Sequence, residues 1–364
     1  MITQDKNVPA LRFSEFQDEW KEKRISEVAK IMYGKDQKQI AEKDGKYPIL
    51  GTGGIMGKTN SFLYDKPSVL IGRKGTIDQP RYMETPFWTV DTLFYTELLE
   101  NTFPKWLYYK FETINWYLHN EASGVPSLSA STIYKIKLNL PTLPEQQKIA
   151  AFLTAVDEKI QQLTGKKDLL EQYKKGVMQK IFNQEIRFKD DNGNDFADWE
   201  EKNFEEIYVS LPTKQFQVLT SEILESGQFK VIDQGQKKVA GFSNDSSKLL
   251  KDVPIIIFGD HTAILKYIDF NFIVGADGTK ILKNKFGNLK FFYYCLVFNN
   301  IETEGYKRHY SILKSINLQF PESVEEQNKI ASFLSVIDDK INLVNQQLEK
   351  TKEYKKGLLH QMFI

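Results

Sequence analysis

The residues best suited to bond chemistry in this 364-residue chain are a glycine-rich run, four histidines, one cysteine and two aspartates at matching places in the two halves. The run Gly51-Thr52-Gly53-Gly54-Ile55-Met56-Gly57-Lys58-Thr59 ends in the Gly-Lys-Thr of a phosphate-binding loop. Such a loop reads G-x-x-x-x-G-K-[ST] and opens a helix whose N-terminal amides cradle phosphate. Here Thr52 stands where the first glycine is required, and Pro67 arrives eight residues after Thr59, too soon for a good helix. Nucleotide binding is therefore not expected. His119, His261, His309 and His360 lack the spacing of metal ligands, and Cys295 has no partner for a disulfide or a zinc site. Neither a G-x-S-x-G elbow nor an H-E-x-x-H helix is present. Asp91 and Asp277 belong to different halves and read as turn or capping residues. The expectation is a chain without a catalytic centre, a metal or a cofactor.

The elements that would position any other functional residues are dominated by a repeat. Gln146 to Phe182 returns as Gln327 to Phe363 with a shift of 181 residues and no gap, and 15 of the 38 positions from Glu145 to Phe182 are identical. Each copy reads as one long helix with an alternating apolar seam. Ile149, Leu153, Val156 and Ile160 begin the first seam, and Ile330, Leu334, Ile337 and Ile341 begin the second; Lys167 and Lys174 interrupt the first. Thr142-Leu143-Pro144-Glu145 and Ser323-Val324-Glu325-Glu326 fit a capping box and mark both helix starts. A narrow seam needs a partner helix, and the other copy matches in length, so an antiparallel pair is expected. At about 1.5 Å per residue, each copy spans roughly 55 Å, a length suited to holding two modules apart.

Composition is that of a folded protein, with 41% hydrophobic, 13% aromatic and 27% charged residues. The N-terminus lacks an apolar signal core and no run is long enough for a membrane span, so a reducing, cytoplasmic setting is expected. Leu11-Arg12-Phe13 and Trp20 recur as Ile186-Arg187-Phe188 and Trp199, so the duplication covers nearly the whole chain. This divides it into an arm at 1–19 that completes the second half, a module at 20–141, a helix at 142–185, a second module at 186–321 and a second helix at 322–364. The two modules resemble each other little. Both carry short strand-like runs, such as Ser68-Val69-Leu70-Ile71 and Pro254-Ile255-Ile256-Ile257-Phe258, and one late helical segment, Phe103 to Asn115 or Phe286 to Asn299. Shared punctuation survives: Gly72 and Gly259 follow a strand, and Gly124 and Gly305 precede the closing run. The expected class is α+β, with two mixed α/β modules.

The phrases LRFSEFQDEW, YPILGTGGIMG, VLIGRKGTI, LPEQQKIAAFL with QYKKGVMQKIF, and their partners EEQNKIASFL and EYKKGLLHQMF make the chain resemble the specificity (S) subunit of type I restriction-modification enzymes over essentially its full length. The resemblance implies two target-recognition domains joined by two long antiparallel coiled-coil helices in a pseudo-twofold arrangement. Each domain would read one half of a split sequence in double-stranded DNA. The helices would dock methyltransferase (M) subunits, two of them, and position restriction (R) subunits, and those partners would bind S-adenosylmethionine, ATP and magnesium. With 49 basic and 48 acidic residues the chain has no overall basic field, so a DNA surface must be local. Major-groove reading uses Arg or Lys on guanine, Asn or Gln on adenine, and Thr against the thymine methyl. Candidates in Gly-rich or Pro-flanked turns of the first module are Lys58, Thr59, Asn60, Arg73, Lys74, Thr76, Gln79 and Arg81. Those of the second are Gln234, Gln236, Lys237, Lys238, His261, Thr262, Lys307, Arg308 and His309, beside Tyr306 and Tyr310. A scaffold tethering two modules that do not bind DNA is the alternative.

Overall fold

The computed structural model describes residues 7–275, 277–301 and 307–364. The chain forms two compact units, Met1–Gly165 with Asn345–Ile364, and Lys166–Val344. Two continuous helices, Leu143–Phe182 and Val324–Met362, contribute to both. No described helix is long and apolar enough to cross a membrane.

In the first unit the module at 20–141 is closed at its mouth, because strand Lys21–Arg24 pairs antiparallel with Lys137–Leu140. Inside that mouth lies a four-stranded antiparallel sheet, in the order Ala29–Met32, Leu93–Leu98, Ser68–Gly72, Arg81–Met83. A second sheet pairs Tyr47–Gly51 with Gly54–Thr59 on one side and with the short Trp88–Thr89 on the other. Helix Pro104–Thr113 buries Trp106, Leu107 and Phe111 in a core that also takes Ile149 and Leu153 of the first long helix and Leu358 and Met362 of the second. The two helix segments in this unit therefore run antiparallel.

The second unit repeats the plan. Glu200–Asn203 pairs with Asn317–Phe320 at the mouth, and the main sheet runs Tyr208–Leu211, Thr279–Asn284, Ile255–Gly259, Leu265–Ile268. Helix Leu289–Phe298 buries Phe291, Phe292 and Leu296 against Ile330, Leu334 and Ile337 of the second long helix and Met178 and Ile181 of the first. Val156 and Ile341 are half-buried against these cores, and Ile160 is half-buried. The retained strand-end glycines have a steric cause: a Cβ on Gly72 would lie 2.0 Å from the Thr76 carbonyl oxygen, and one on Gly259 2.1 Å from Thr262 Oγ1.

The capping-box reading holds only in part. Ser323 Oγ accepts from the Glu326 amide at 3.3 Å, but neither glutamate turns back to its own N-cap. Instead Arg12 donates to both Glu145 carboxylate oxygens at 2.7 and 2.8 Å, and Arg187 does the same to Glu326 at 2.8 and 3.0 Å. Trp20 and Trp199 add their indole N–H groups to the same carboxylates, at 3.1 and 3.4 Å. A buried carboxylate takes a charged, forked partner in preference to one backbone amide. The adjacent glutamine ties the helix to the mouth: Gln146 Nε2 donates to the Pro141 carbonyl at 2.9 Å and Gln327 Nε2 to that of Pro321 at 2.8 Å. The arm enters alike in both units, with Leu11 N–H donating to the Gln361 carbonyl and Ile186 N–H to that of Lys180.

Lysine interrupts the seam for a similar reason. Lys355 pairs with Asp157 and Glu112, each at 2.9 Å, and Asp157 also accepts from Tyr109 at 2.8 Å. Burial works against charge on Lys355, but the two carboxylates outweigh it and its pKa is raised. The second unit has the equivalent set, with Lys174 2.6 Å from Asp338 and Tyr294 donating to Asp338 at 2.7 Å.

Because Glu326 is fully buried, Arg187→Ala should cost about 3–5 kcal/mol by stranding a carboxylate. Lys248→Ala, which breaks a partly exposed pair with Glu222, should cost less than about 1 kcal/mol. Urea unfolding of the two variants measures the contrast, and equal midpoints would contradict it.

Candidate nucleic-acid interface

Four loops meet at corresponding places in each unit. In the first they are the hairpin turn around Thr52 and Gly53, the segment Arg73 to Thr76, the turn at Asp91 and Thr92, and the segment near Pro126 and Ser127. Arg73 and Lys74 amides donate to the Thr92 carbonyl at 2.8 and 3.2 Å, and the Gly75 amide to that of Pro126 at 2.9 Å. In the second unit the loops are 233–238, 260–263, 277–278 and 307–310. Gln234 stitches three elements there: its Nε2 donates to the Asp277 carbonyl at 2.8 Å, its Oε1 accepts from the His261 amide at 3.0 Å, and its own carbonyl accepts from Thr262 Oγ1 at 2.7 Å. The fourth loop joins through the His309 amide, which donates to the Asp260 carbonyl at 2.7 Å.

A basic side chain braces the first loop of each cluster. Arg81 donates to the Gly51 and Thr52 carbonyls at 3.2 and 2.7 Å. At the equivalent strand position Lys266 donates to the Asp233 and Lys237 carbonyls, both at 2.7 Å. Burial lowers the Lys266 pKa, and Asp233 nearby opposes that shift. Carbonyl acceptors in a partly dry site stabilise the cation without freeing it for an outside ligand.

These contacts sort the candidate residues. Lys58 and Thr59 lie in a strand, not in a turn, because the glycine-rich run folds as a hairpin that pairs Lys58 with Pro48, and Arg81 opens the strand Arg81–Met83, opposite Leu70. The same pairing leaves no helix after Lys58, so the run is no phosphate cradle. Thr59 is buried and its Oγ1 accepts from the Ser61 amide. His309 is likewise buried. Asn60 holds the Lys46 amide through its Oδ1 at 3.1 Å. Arg73 lies over the Tyr33 ring and donates to the Asp91 carbonyl at 3.1 Å. Lys58, Asn60, Lys74, Gln79, Gln236, Lys237, Lys238, Lys307 and Arg308 are exposed, while Thr76, His261 and Thr262 are half-buried. Gly305 and Tyr306 lie outside the described residues. Sequence reasoning passed over Ile55 and Met56, which are 73% and 60% exposed on the hairpin arm. Their signal was apolar side chains inside a glycine-rich run, and apolar groups can meet a thymine methyl.

No group of three or more His, Cys, Asp or Glu that could hold a metal occurs among the described residues. Loops of different chemistry carried on one duplicated frame define a recognition protein. A family model described as the type I restriction modification DNA specificity domain matches the chain twice, over residues 17–172 and 197–353. The chain belongs to that family, whose members are non-catalytic DNA-recognition subunits. Among its relatives, the type I restriction enzyme MjaVIII specificity subunit of Methanocaldococcus jannaschii is 24% identical over 94% of this chain and 92% of its own length. The putative MjaX specificity subunit of the same organism is 26% identical over 70% of this chain and 64% of its own. The crystal structure of a type I restriction-modification S subunit from M. genitalium has the same fold, with a TM-score of 0.70 at 17% identity over 98% of this chain and 99% of that one.

The Arg81 brace predicts a local effect. Arg81→Ala should raise amide hydrogen exchange in residues 52–56 by about tenfold, the loss of roughly 1–2 kcal/mol of local stability. Exchange in strand Ser68–Gly72 should stay unchanged. Equal protection of residues 52–56 in both proteins would show that the brace does not hold the turn.

Proposed function

We propose that each unit reads one half of a bipartite target in double-stranded DNA, and that the long helices shared by both units set the spacing of the half-sites. The supporting observation is the contrast between frame and loops. The mouth strands, the Arg-Glu-Trp set, the helix-start glutamine and the brace are alike in the two units, whereas the loops they carry differ. A common frame with different loops suits two half-sites of different sequence. Lys74, Lys237, Lys238, Lys307 and Arg308 are the proposed phosphate or base contacts, joined by Gln79 and Gln236. Thr59 and His309 belong to the frame. Methyltransferase subunits, two per chain, and restriction subunits would assemble on this scaffold and supply the bond chemistry.

Exchanging Trp199 to Pro321 for the equivalent stretch of a relative should change one half of the methylated sequence and leave the other intact. Sequencing of methylated DNA from a host carrying the exchanged chain and its methyltransferase reads this directly. Simultaneous change of both halves would refute independent reading.

Phosphate contact has its own signature. Replacing both Lys237 and Lys238 with Ala should reduce the slope of log affinity against log salt by about two, since each neutralised phosphate contributes roughly 0.9. Binding titrations of the assembled complex from low to high salt measure that slope. An unaltered slope would remove these lysines from the interface.

A further inference from the structure

The glycine-rich hairpin of the first unit carries a feature that its packing does not require. Counting back from the buried Thr59, an unbroken strand would alternate, turning Gly57 and Ile55 inward and Lys58 and Met56 outward. Ile55 is nevertheless 73% exposed, beside Met56 at 60%. The register gives the cause: Ile49 pairs with Gly57 and Leu50 with Ile55, so Met56 has no partner and a bulge interrupts the alternation. Two large apolar side chains therefore stand next to each other on the outer face of the arm.

The hairpin holds them in place. Arg81 braces the turn through the Gly51 and Thr52 carbonyls. A Cβ on Gly51 would lie 2.4 Å from Met56 Sδ, so its absence gives the methionine room to lie across the partner strand. Gly54 has a φ of +123°, which favours glycine. Gly53 and Gly57 differ from it. Neither has a positive φ, and a Cβ would meet nothing within 4 Å at Gly53 and only Ile49 Cδ1, at 3.9 Å, at Gly57. Bare backbone that neither conformation nor packing demands leaves space for a ligand to approach closely.

The surrounding chemistry selects the ligand. The turn adjoins the segment Arg73 to Thr76, since a Cβ on Gly75 would lie 3.5 Å from Thr52 Oγ1. Exposed Lys58 follows Met56 on the same face at about 7 Å, while the nearby Glu42 carboxylate is taken up by Asn60. An apolar pair bordered by the exposed ammonium groups of Lys58 and Lys74 matches the major-groove edge of a T·A pair, where the C5 methyl lies between two phosphate backbones. The other apolar contact with DNA is a wedge between base steps. A wedge needs its side chains at the tip, and the tip here is Thr52 and Gly53.

We propose that Ile55 and Met56 together grip one thymine methyl in the half-site read by the first unit, making that position specific for T·A. The proposal rests on the half-site reading of the preceding subsection. Its test measures binding of the assembled complex to the target found by sequencing methylated DNA, with each thymine in turn replaced by deoxyuridine, which removes the methyl and keeps the base pair. One replacement should weaken binding by the unaltered chain about fourfold, the worth of one buried methyl. A variant carrying both Ile55→Ala and Met56→Ala should bind the thymine target at least about fourfold more weakly and lose nothing further with uracil at that position. Both residues are exposed, and an unchanged melting temperature serves as the folding control. A double variant that still loses fourfold with uracil, or an unaltered chain indifferent to uracil at every thymine, overturns the methyl contact. So does 2-aminopurine that brightens at one base step only when both side chains are present, which would mark a wedge. A double variant that binds the thymine target normally but no longer retains the methyltransferase subunit overturns it too, in favour of a protein contact. An unaltered complex with no preference for any split sequence overturns the half-site reading itself, and the methyl contact with it.

Discussion

Each unit depends on one buried carboxylate at the head of a long helix. Glu145 and Glu326 are almost wholly removed from water, a position tenable only because a guanidinium and an indole N–H meet each of them. Their bonds raise the pKa of Arg12 and Arg187, against the effect of burial. The consequence is geometric. A forked arginine accepts one orientation of the carboxylate, so the arm, the tryptophan before the first strand and the first turn of the helix take up a single relative pose. The neighbouring glutamine then binds the carbonyl of the proline that directly follows the closing strand, Pro141 or Pro321, and with it that strand.

The lysine clusters act further along the same helices. An uninterrupted apolar seam between two helices tolerates sliding by a heptad, because one leucine replaces another. Lys355 between Asp157 and Glu112 has no such equivalent one heptad away, where Leu348 and Met362 stand, so that cluster selects one register at some cost in stability; Lys174 against Asp338 selects less sharply, because Lys167 lies one heptad before it. Tyr109 and Tyr294 extend that selection to the helix of the module.

The repeat, the helix starts and the strand runs were legible because backbone periodicity and exact recurrence are local properties. Ser68–Gly72 and Ile255–Gly259 came directly from continuous β-branched and apolar runs, and the end of each strand from its glycine. The role of Glu145 was not legible, since its partner Arg12 lies 133 residues away and the local capping pattern pointed elsewhere. The candidate loops were found as regions, but their side chains sorted differently from expectation. Thr59 looked like a turn residue because a glycine-rich run conceals a hairpin, Arg81 because Pro80 precedes a strand only three residues long, and His309 looked like a surface residue because only the folded chain brings Asp260 to it. Composition reports that a residue can bind DNA; three-dimensional contacts decide whether it is available.

The closed mouth of each module also decides how mechanical load would travel. Lys21 pairs with Leu140 and Arg24 with Lys137, so the chain enters and leaves the module at the same end of a short ladder. Tension applied there would act on the ladder as a zipper, one pair at a time, the direction in which strands resist least. Arg12 and Glu145 lie just outside the ladder on its two sides and are bonded to each other across it. Strain arriving through the arm or the long helix would therefore pass from guanidinium to carboxylate and bypass the ladder, leaving the loops of the module undeformed while the scaffold beneath them is pulled.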